Sequence, residues 1–195
     1  MLLSGCAAMN QKECTTADWR TVGYEDGVNG YAGDRIGQYR SACSKYGITP
    51  DLASYQTGRD QGLREFCRPA NAYRIGAAGG GYAGVCPSEL EAAFVSAFNA
   101  GHQLHVLEAR VSNTDAQLDS KRRELAGLEQ GIAANSAAVV SDGTTSEQRA
   151  QALVGAAQMA EQVGRLREEI HQLEVERVDY ARDLEDYRSR MHPIG

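Results

Sequence analysis

From Leu104 onward the hydrophobic positions step alternately by three and four residues. Leu104, Leu107, Val111, Leu118, Leu125, Leu128 and Ile132 share one stripe, with Thr114 and Lys121 standing in at two of its positions. Met159, Val163, Leu166, Ile170, Leu173, Tyr180, Leu184, Tyr187 and Met191 form a second, with Arg177 as its one charged member. This is the a/d spacing by which one helix buries a seam against another. No proline occurs from Ser88 to His192, so neither helix need break. Pro87-Ser88-Glu89-Leu90-Glu91 reads as a helix start, with Ser88 as cap and Glu91 completing a capping box. Between the stripes, Asp142-Gly143 followed by Thr145-x-x-Gln148 reads as a turn and a fresh N-terminus.

The pattern therefore predicts an antiparallel coiled-coil hairpin over residues 102–195, turning near 138–146; a coil between chains is the rival. Bringing Met191 back beside Phe98 puts Arg177 opposite Thr114, a polar pair that fixes register at some cost in stability. Asp119–Arg123, Glu161–Arg165 and Asp186–Arg190 are spaced for ion pairs along the outer faces. At the turn, Ala137, Ala138, Val139 and Val140 are apolar where solvent-facing residues are expected, which suggests a contact surface.

Upstream the spacing differs. Trp19-x-x-x-Gly23-x-x-x-Gly27 is followed by Tyr55-x-x-Gly58-x-x-x-Gly62 and by Phe98-x-x-Gly101. Glycines four apart lie on one helical face, and each costs a helix about 1 kcal/mol relative to alanine. Close approach of backbones is the reason to accept that cost. Residues 14–101 thus read as a head of three or four short helices, with Trp19, Tyr24, Tyr39, Tyr55, Phe66 and Phe94 filling the gaps. Gly47 reads as a helix end, Thr49-Pro50-Asp51 as the next start, and Arg68-Pro69 as a stop. The run Gly76 to Gly84 reads as a loop; with no Lys-Ser/Thr after it, it does not read as a phosphate cradle.

Composition adds compartment. Leu3-Ser4-Gly5-Cys6-Ala7 resembles the lipobox of bacterial lipoproteins, in which the cysteine is acylated with palmitate-type chains, so Cys6 is the expected lipidation site and residues 1–13 a tether. Ala7 resembles the outer-membrane sorting signal. A secretory signal needs an apolar core of about 7–15 residues; with five residues ahead of Cys6, the expectation is a longer natural leader. Cys14, Cys43, Cys67 and Cys86 remain, an even set that suggests two disulfides in an oxidising compartment. Three pairings are open; the working choice is Cys14–Cys43 with Cys67–Cys86. Without CxxC spacing or a histidine before His102, a zinc site is disfavoured, and neither metal nor cofactor is expected.

The net charge of −6 argues against nucleic acid, which requires a basic face. No apolar run approaches the roughly 20 residues that cross a bilayer. Asp18, Asp26, Asp51, Arg59 and Asp60 are polar residues embedded in the glycine motifs; the favoured reading makes Asp18 and Asp51 helix caps and Arg59 part of an ion pair inside a small core. Trp19, Tyr24, Asp26 and Arg59 are the candidate ligand contacts, as a stacking platform with polar groups for a saccharide or peptide. No nucleophile–base constellation stands out, so no catalytic residue is expected.

Asp18-Trp19-x-x-x-Gly23-Tyr24-x-Asp26-Gly27-x-x-Gly30, Ala42-Cys43-x-x-x-Gly47-Ile48-x-Pro50-Asp51, Tyr55-x-x-Gly58-Arg59-x-x-Gly62-Leu63-x-x-Phe66-Cys67 and Tyr82-x-Gly84-Val85-Cys86-Pro87 together resemble a family of bacterial envelope lipoproteins of unassigned function. The resemblance runs from about Cys14 to His102 and implies an outer-membrane lipoprotein without supplying an activity. The expectation is a mainly α protein: a small disulfide-stapled head and a long hairpin, lipid-anchored in the outer membrane and facing the periplasm. It acts as a structural or adaptor protein on a periplasmic partner or another copy. A wall-saccharide or peptide-binding head is the alternative, and a hydrolase comes third.

Overall fold

The computed structural model describes residues 9–191; Cys6 and His192 lie outside them. Among the described residues there are seven α-helices and no strand: α1 (Gln11–Thr16), α2 (Trp19–Val28), α3 (Arg35–Ser44), α4 (Leu52–Phe66), α5 (Pro69–Ala77), α6 (Ser88–Val140) and α7 (Ser146–Met191). They fall into two compact units, one ending at His105 and the other beginning at Val106.

The first unit is organised by backbone contact. A Cβ added at Gly58 would overlap the Arg20 carbonyl, and one at Gly62 the Tyr24 carbonyl. From the other side, Gly23 faces the Tyr55 carbonyl and Gly27 the Arg59 carbonyl. Helices α2 and α4 therefore cross with their main chains touching, as the spacing of four predicts. The device recurs where Gly76 of α5 meets the Phe98 carbonyl and Gly101 of α6 meets that of Tyr73.

Two apolar clusters flank these crossings. Cys14, Trp19, Ile36, Tyr39, Cys43 and Tyr55 make one. Leu63, Cys67, Ala72 and Phe94 make the other, with Phe66, Tyr82 and Phe98 against it. A disulfide closes each: Cys14–Cys43, spanning 29 residues, and Cys67–Cys86, spanning 19. Loops of that size stabilise by about 3 kcal/mol each in the chain-entropy picture. The Cys67–Cys86 bond also pins the glycine-rich segment, where the Tyr82 hydroxyl accepts from the Cys86 N–H and donates to Glu91.

Several local expectations change. The head has five short helices and the start of α6, not three or four. Asn10 and Glu13 form a reciprocal capping box that starts α1 inside the segment expected to be tether, and Met9 packs on the first cluster. Pro69 occupies the first position of α5, so it begins a helix as well as following one. Tyr24 is 42% exposed and fills no gap. The Ser88/Glu91 box does not form, because Glu91 is taken by Tyr82 and the Pro87 carbonyl accepts the first helical bonds.

In the second unit the remainder of α6 runs antiparallel to α7. Leu118, Leu166 and Ile170 form its core, with Leu125, Leu128 and Leu173 packed against them. Seam positions other than Arg177 are buried or half-buried. Thr145 and Gln148 cap each other reciprocally at the start of α7, and the Thr144 hydroxyl donates to the Ser141 carbonyl in the turn. Helix α6 persists to Val140, so the turn is shorter than expected.

Arg177 bonds Asp115 at 3.0 Å, while buried Thr114 returns its hydroxyl to the Arg110 carbonyl, so the anticipated Arg177–Thr114 pair is displaced by one residue. The carboxylate gives Arg177 a charged acceptor that a hydroxyl cannot match. Nor are Asp119–Arg123, Glu161–Arg165 and Asp186–Arg190 among the close ion pairs of the described residues; the Arg190 guanidinium bonds the Asp186 carbonyl instead. Glu108–Arg188, Arg122–Glu174, Glu129–Arg167 and Lys121–Glu169 form instead and join the two helices, while Asp179–Arg182 and Lys121–Glu124 run along one helix.

Glycines in the two units should respond oppositely to alanine. Gly58→Ala drives a methyl into the Arg20 carbonyl and should destabilise the head by about 1–3 kcal/mol or more. Gly127→Ala, with nothing within 4 Å, should stabilise α6 by up to about 1 kcal/mol. Denaturant unfolding of the two variants checks both signs; equal shifts would show that helix propensity, not backbone contact, governs the head.

Candidate functional site

Three polar side chains of the head, Arg35, Tyr39 and Tyr55, converge on Asp26. Asp26 lies between Gly23 and Gly27 on the face of α2 pressed toward the core, and is 4% exposed. Tyr55 of α4 donates its hydroxyl to one carboxylate oxygen at 2.8 Å, and Tyr39 of α3 to the other at 3.1 Å. Arg35 Nε lies 3.0 Å from the same oxygen as Tyr39 and also donates to the Tyr39 hydroxyl. One carboxylate thus ties three helices together, and no buried side-chain polar atom among the described residues lacks a partner.

Burial, reinforced by bonding to Asp26, raises Tyr55 well above the ordinary phenol range. Burial raises Tyr39 as well, and likewise Tyr82, where Glu91 adds to it.

Arg35 also lies over the Tyr31 ring, 4.0 Å from its centroid. Arg59, the other candidate cation, donates to the Tyr31 carbonyl at 2.9 Å and holds the same segment from the α4 side. Trp19 is buried against Tyr39 with ring centroids 6.0 Å apart. Of Trp19, Tyr24, Asp26 and Arg59, only Tyr24 has a substantially exposed ring; Trp19 and Asp26 belong to the core and Arg59 to a loop latch. Asp18 and Asp51 are caps: Thr21 and Ser54 donate to them, followed by first-turn N–H groups, and these bonds lower both carboxyls. Asp60 is exposed.

A cavity on the head lies elsewhere. Val28, Phe66, Ala70, Asn71, Glu65, Arg68 and Arg74 surround a shallow cavity of about 420 Å³. Val28 stands one helical turn beyond Tyr24, so that ring shares its side of α2. Arg68 pairs with Glu65, and Arg74 donates to Asn71, whose amide holds the Phe66 carbonyl. Sequence reasoning missed Arg68 and Arg74 because they sit outside the glycine motifs, where only the α4–α5 corner brings them together.

Residues 18–103 match a family described as protein of unknown function (DUF2799). No curated protein and no solved structure matches the chain.

The Asp26 knot makes a pH prediction. Tyr39 and Tyr55 have raised folded values, so the fold favours their neutral forms. Their contribution is complete below the ordinary phenol value of about 10 and is lost progressively as pH rises above it. Stability should therefore fall from about pH 10 upward, and less steeply in Tyr55→Phe. Asp26→Asn should cost about 2–3 kcal/mol at neutral pH, since it removes charge-assisted bonds and leaves Arg35 opposite a neutral group. Urea unfolding across the alkaline range tests both; an identical pH slope in Tyr55→Phe would refute the assignment.

Proposed function

We propose that this chain is an envelope lipoprotein, held at the outer membrane by acylated Cys6 and facing the periplasm. In this reading it works without catalysis, as a structural or adaptor protein whose helical hairpin docks a protein partner or another copy. The observation that carries the reading is the commitment of the head's polar residues to its own architecture. Asp26, Arg35, Tyr39, Tyr55 and Arg59 are bonded to one another or to backbone, which leaves the hairpin as the larger presenting surface. Two disulfides support an oxidising compartment. No described helix is long and apolar enough to cross a membrane, so attachment in this proposal depends on the lipid.

The cavity near Val28 and Phe66 supports a second reading, a peptide- or saccharide-binding head with Tyr24 beside it and Arg68 and Arg74 at its rim.

Mass spectrometry of the mature N-terminus should find Cys6 acylated, and Cys6→Ser should release the protein from the membrane fraction. Co-purification should be lost on deletion of residues 106–191 and retained in Arg74→Ala. Partners that survive the deletion but vanish with Arg74→Ala would favour the binding head, and an unmodified Cys6 thiol would remove the membrane assignment.

A further inference from the structure

One flank of the hairpin changes chemistry partway along. Glu108–Arg188, Arg122–Glu174 and Glu129–Arg167 bridge the helices at equivalent heptad positions on that flank. One heptad beyond Glu129–Arg167, the same positions are Ser136 and Ala160, and the bridging stops. From residue 130 to residue 160 the charged residues are Asp142, Glu147 and Arg149. Along this distal flank α7 presents Leu153, Ala157, Ala160 and Gly164, and α6 presents Ala133, Ser136 and Val140, all exposed. Leu153 is 57% exposed and Val140 79%, and nothing lies within 4 Å of a Cβ placed on Gly164. The α7 set again steps by four, three and four, which puts one leucine and three small residues on a single exposed face of the helix. Outer positions of a solvated hairpin are normally charged.

We infer that this distal flank is a self-association surface, on which two copies of the chain pack as a short four-helix bundle. The inference deepens the adaptor reading by naming another copy as the occupant. Self-complementarity argues for it: one flank supplies both knobs (Leu153, Val140) and holes (Ala157, Ala160, Gly164), as an isologous two-fold contact requires. Few charges are present to oppose a like copy or to select an oppositely charged partner. Size sets the strength. Residues 153–164 span about 17 Å of helix, and a face two helices wide then buries roughly 800 Å² in all, below the roughly 1,200 Å² of stable complexes. The contact is therefore weak in solution, and tethering copies to one membrane face would raise their effective concentration.

Sedimentation of the full chain carrying Cys6→Ser should show a concentration-dependent monomer–dimer equilibrium. Leu153→Glu, at a solvent-exposed position, should raise the dissociation constant more than about tenfold without loss of helicity. Gly164→Arg should weaken the dimer while raising thermal stability, since it relieves a helix glycine in open space but fills a hole. Val175→Glu, at an exposed position farther from the turn along α7, should leave the equilibrium unchanged. A monomer at every concentration, or a dimer indifferent to both Leu153→Glu and Gly164→Arg, overturns the inference. In cells, a photo-crosslinker at Ala157 separates the two proposals. A homodimer adduct supports both, adducts to a different protein alone overturn this inference and leave the adaptor reading standing, and no adduct counts against both.

Discussion

Main-chain contact between α2 and α4 is the constraint on which the head depends. Four glycines let the two backbones touch, and Asp26, lying on α2 between two of them, is carried into the core as a consequence. A buried carboxylate costs several kcal/mol unless it is bonded. The fold meets that cost by aiming Tyr55, Tyr39 and Arg35 at it from two other elements. The crossing fixes where Tyr55 arrives, and the carboxylate then fixes α3, whose far end is stapled by Cys43 to Cys14. Glycine contact, buried polar knot and disulfide form one sequence of consequences, each needing the one before it.

The hairpin obeys a different logic. Its helices are held by a heptad seam and by ion pairs across it, interactions that repeat along the axis and depend little on any one residue. Those bridges involve partly exposed side chains, so each is worth at most about 1 kcal/mol, and burial of Leu118, Leu166 and Ile170 carries the stability. Arg177 shows the balance: its seam position is paid for by a carboxylate one residue off the seam on the facing helix.

Legibility followed that division. The hairpin could be read from sequence because a/d periodicity is a local signal repeated over many turns, and one register satisfies all of it. Glycine spacing exposed the α2–α4 crossing for a similar reason: a helix interior tolerates such residues only for close approach. The Asp26 knot could not be read. Nothing in the string distinguishes a carboxylate that binds a ligand from one that binds two tyrosines 13 and 29 residues away. Arg59 and Trp19 misled in the same way, being embedded in the motifs because the fold needs them there. Helix α1 was missed because its Asn10 cap lies in a segment read as tether, and α5 because Pro69, read as a stop, also occupies the first position of a new helix.

This contrast bears on where function can reside. In the head, Asp26, Trp19 and Arg59 are taken up by packing or latching and Asp18 and Asp51 by capping, and a change at Asp26 perturbs three helices together. In the hairpin, the seam specifies pairing while the outer positions are unconstrained by it, so their chemistry is open to another use. Charged residues would be the neutral choice for solubility there, and they are the choice where the ion pairs run. Past Glu129–Arg167 the exposed flank becomes serine, alanine, glycine, leucine and valine, while Ile132, Asn135, Ala152 and Met159 remain buried or half-buried. Stability of the hairpin does not require that substitution, since these side chains are exposed. The proposed packing of a second copy on this flank accounts for it.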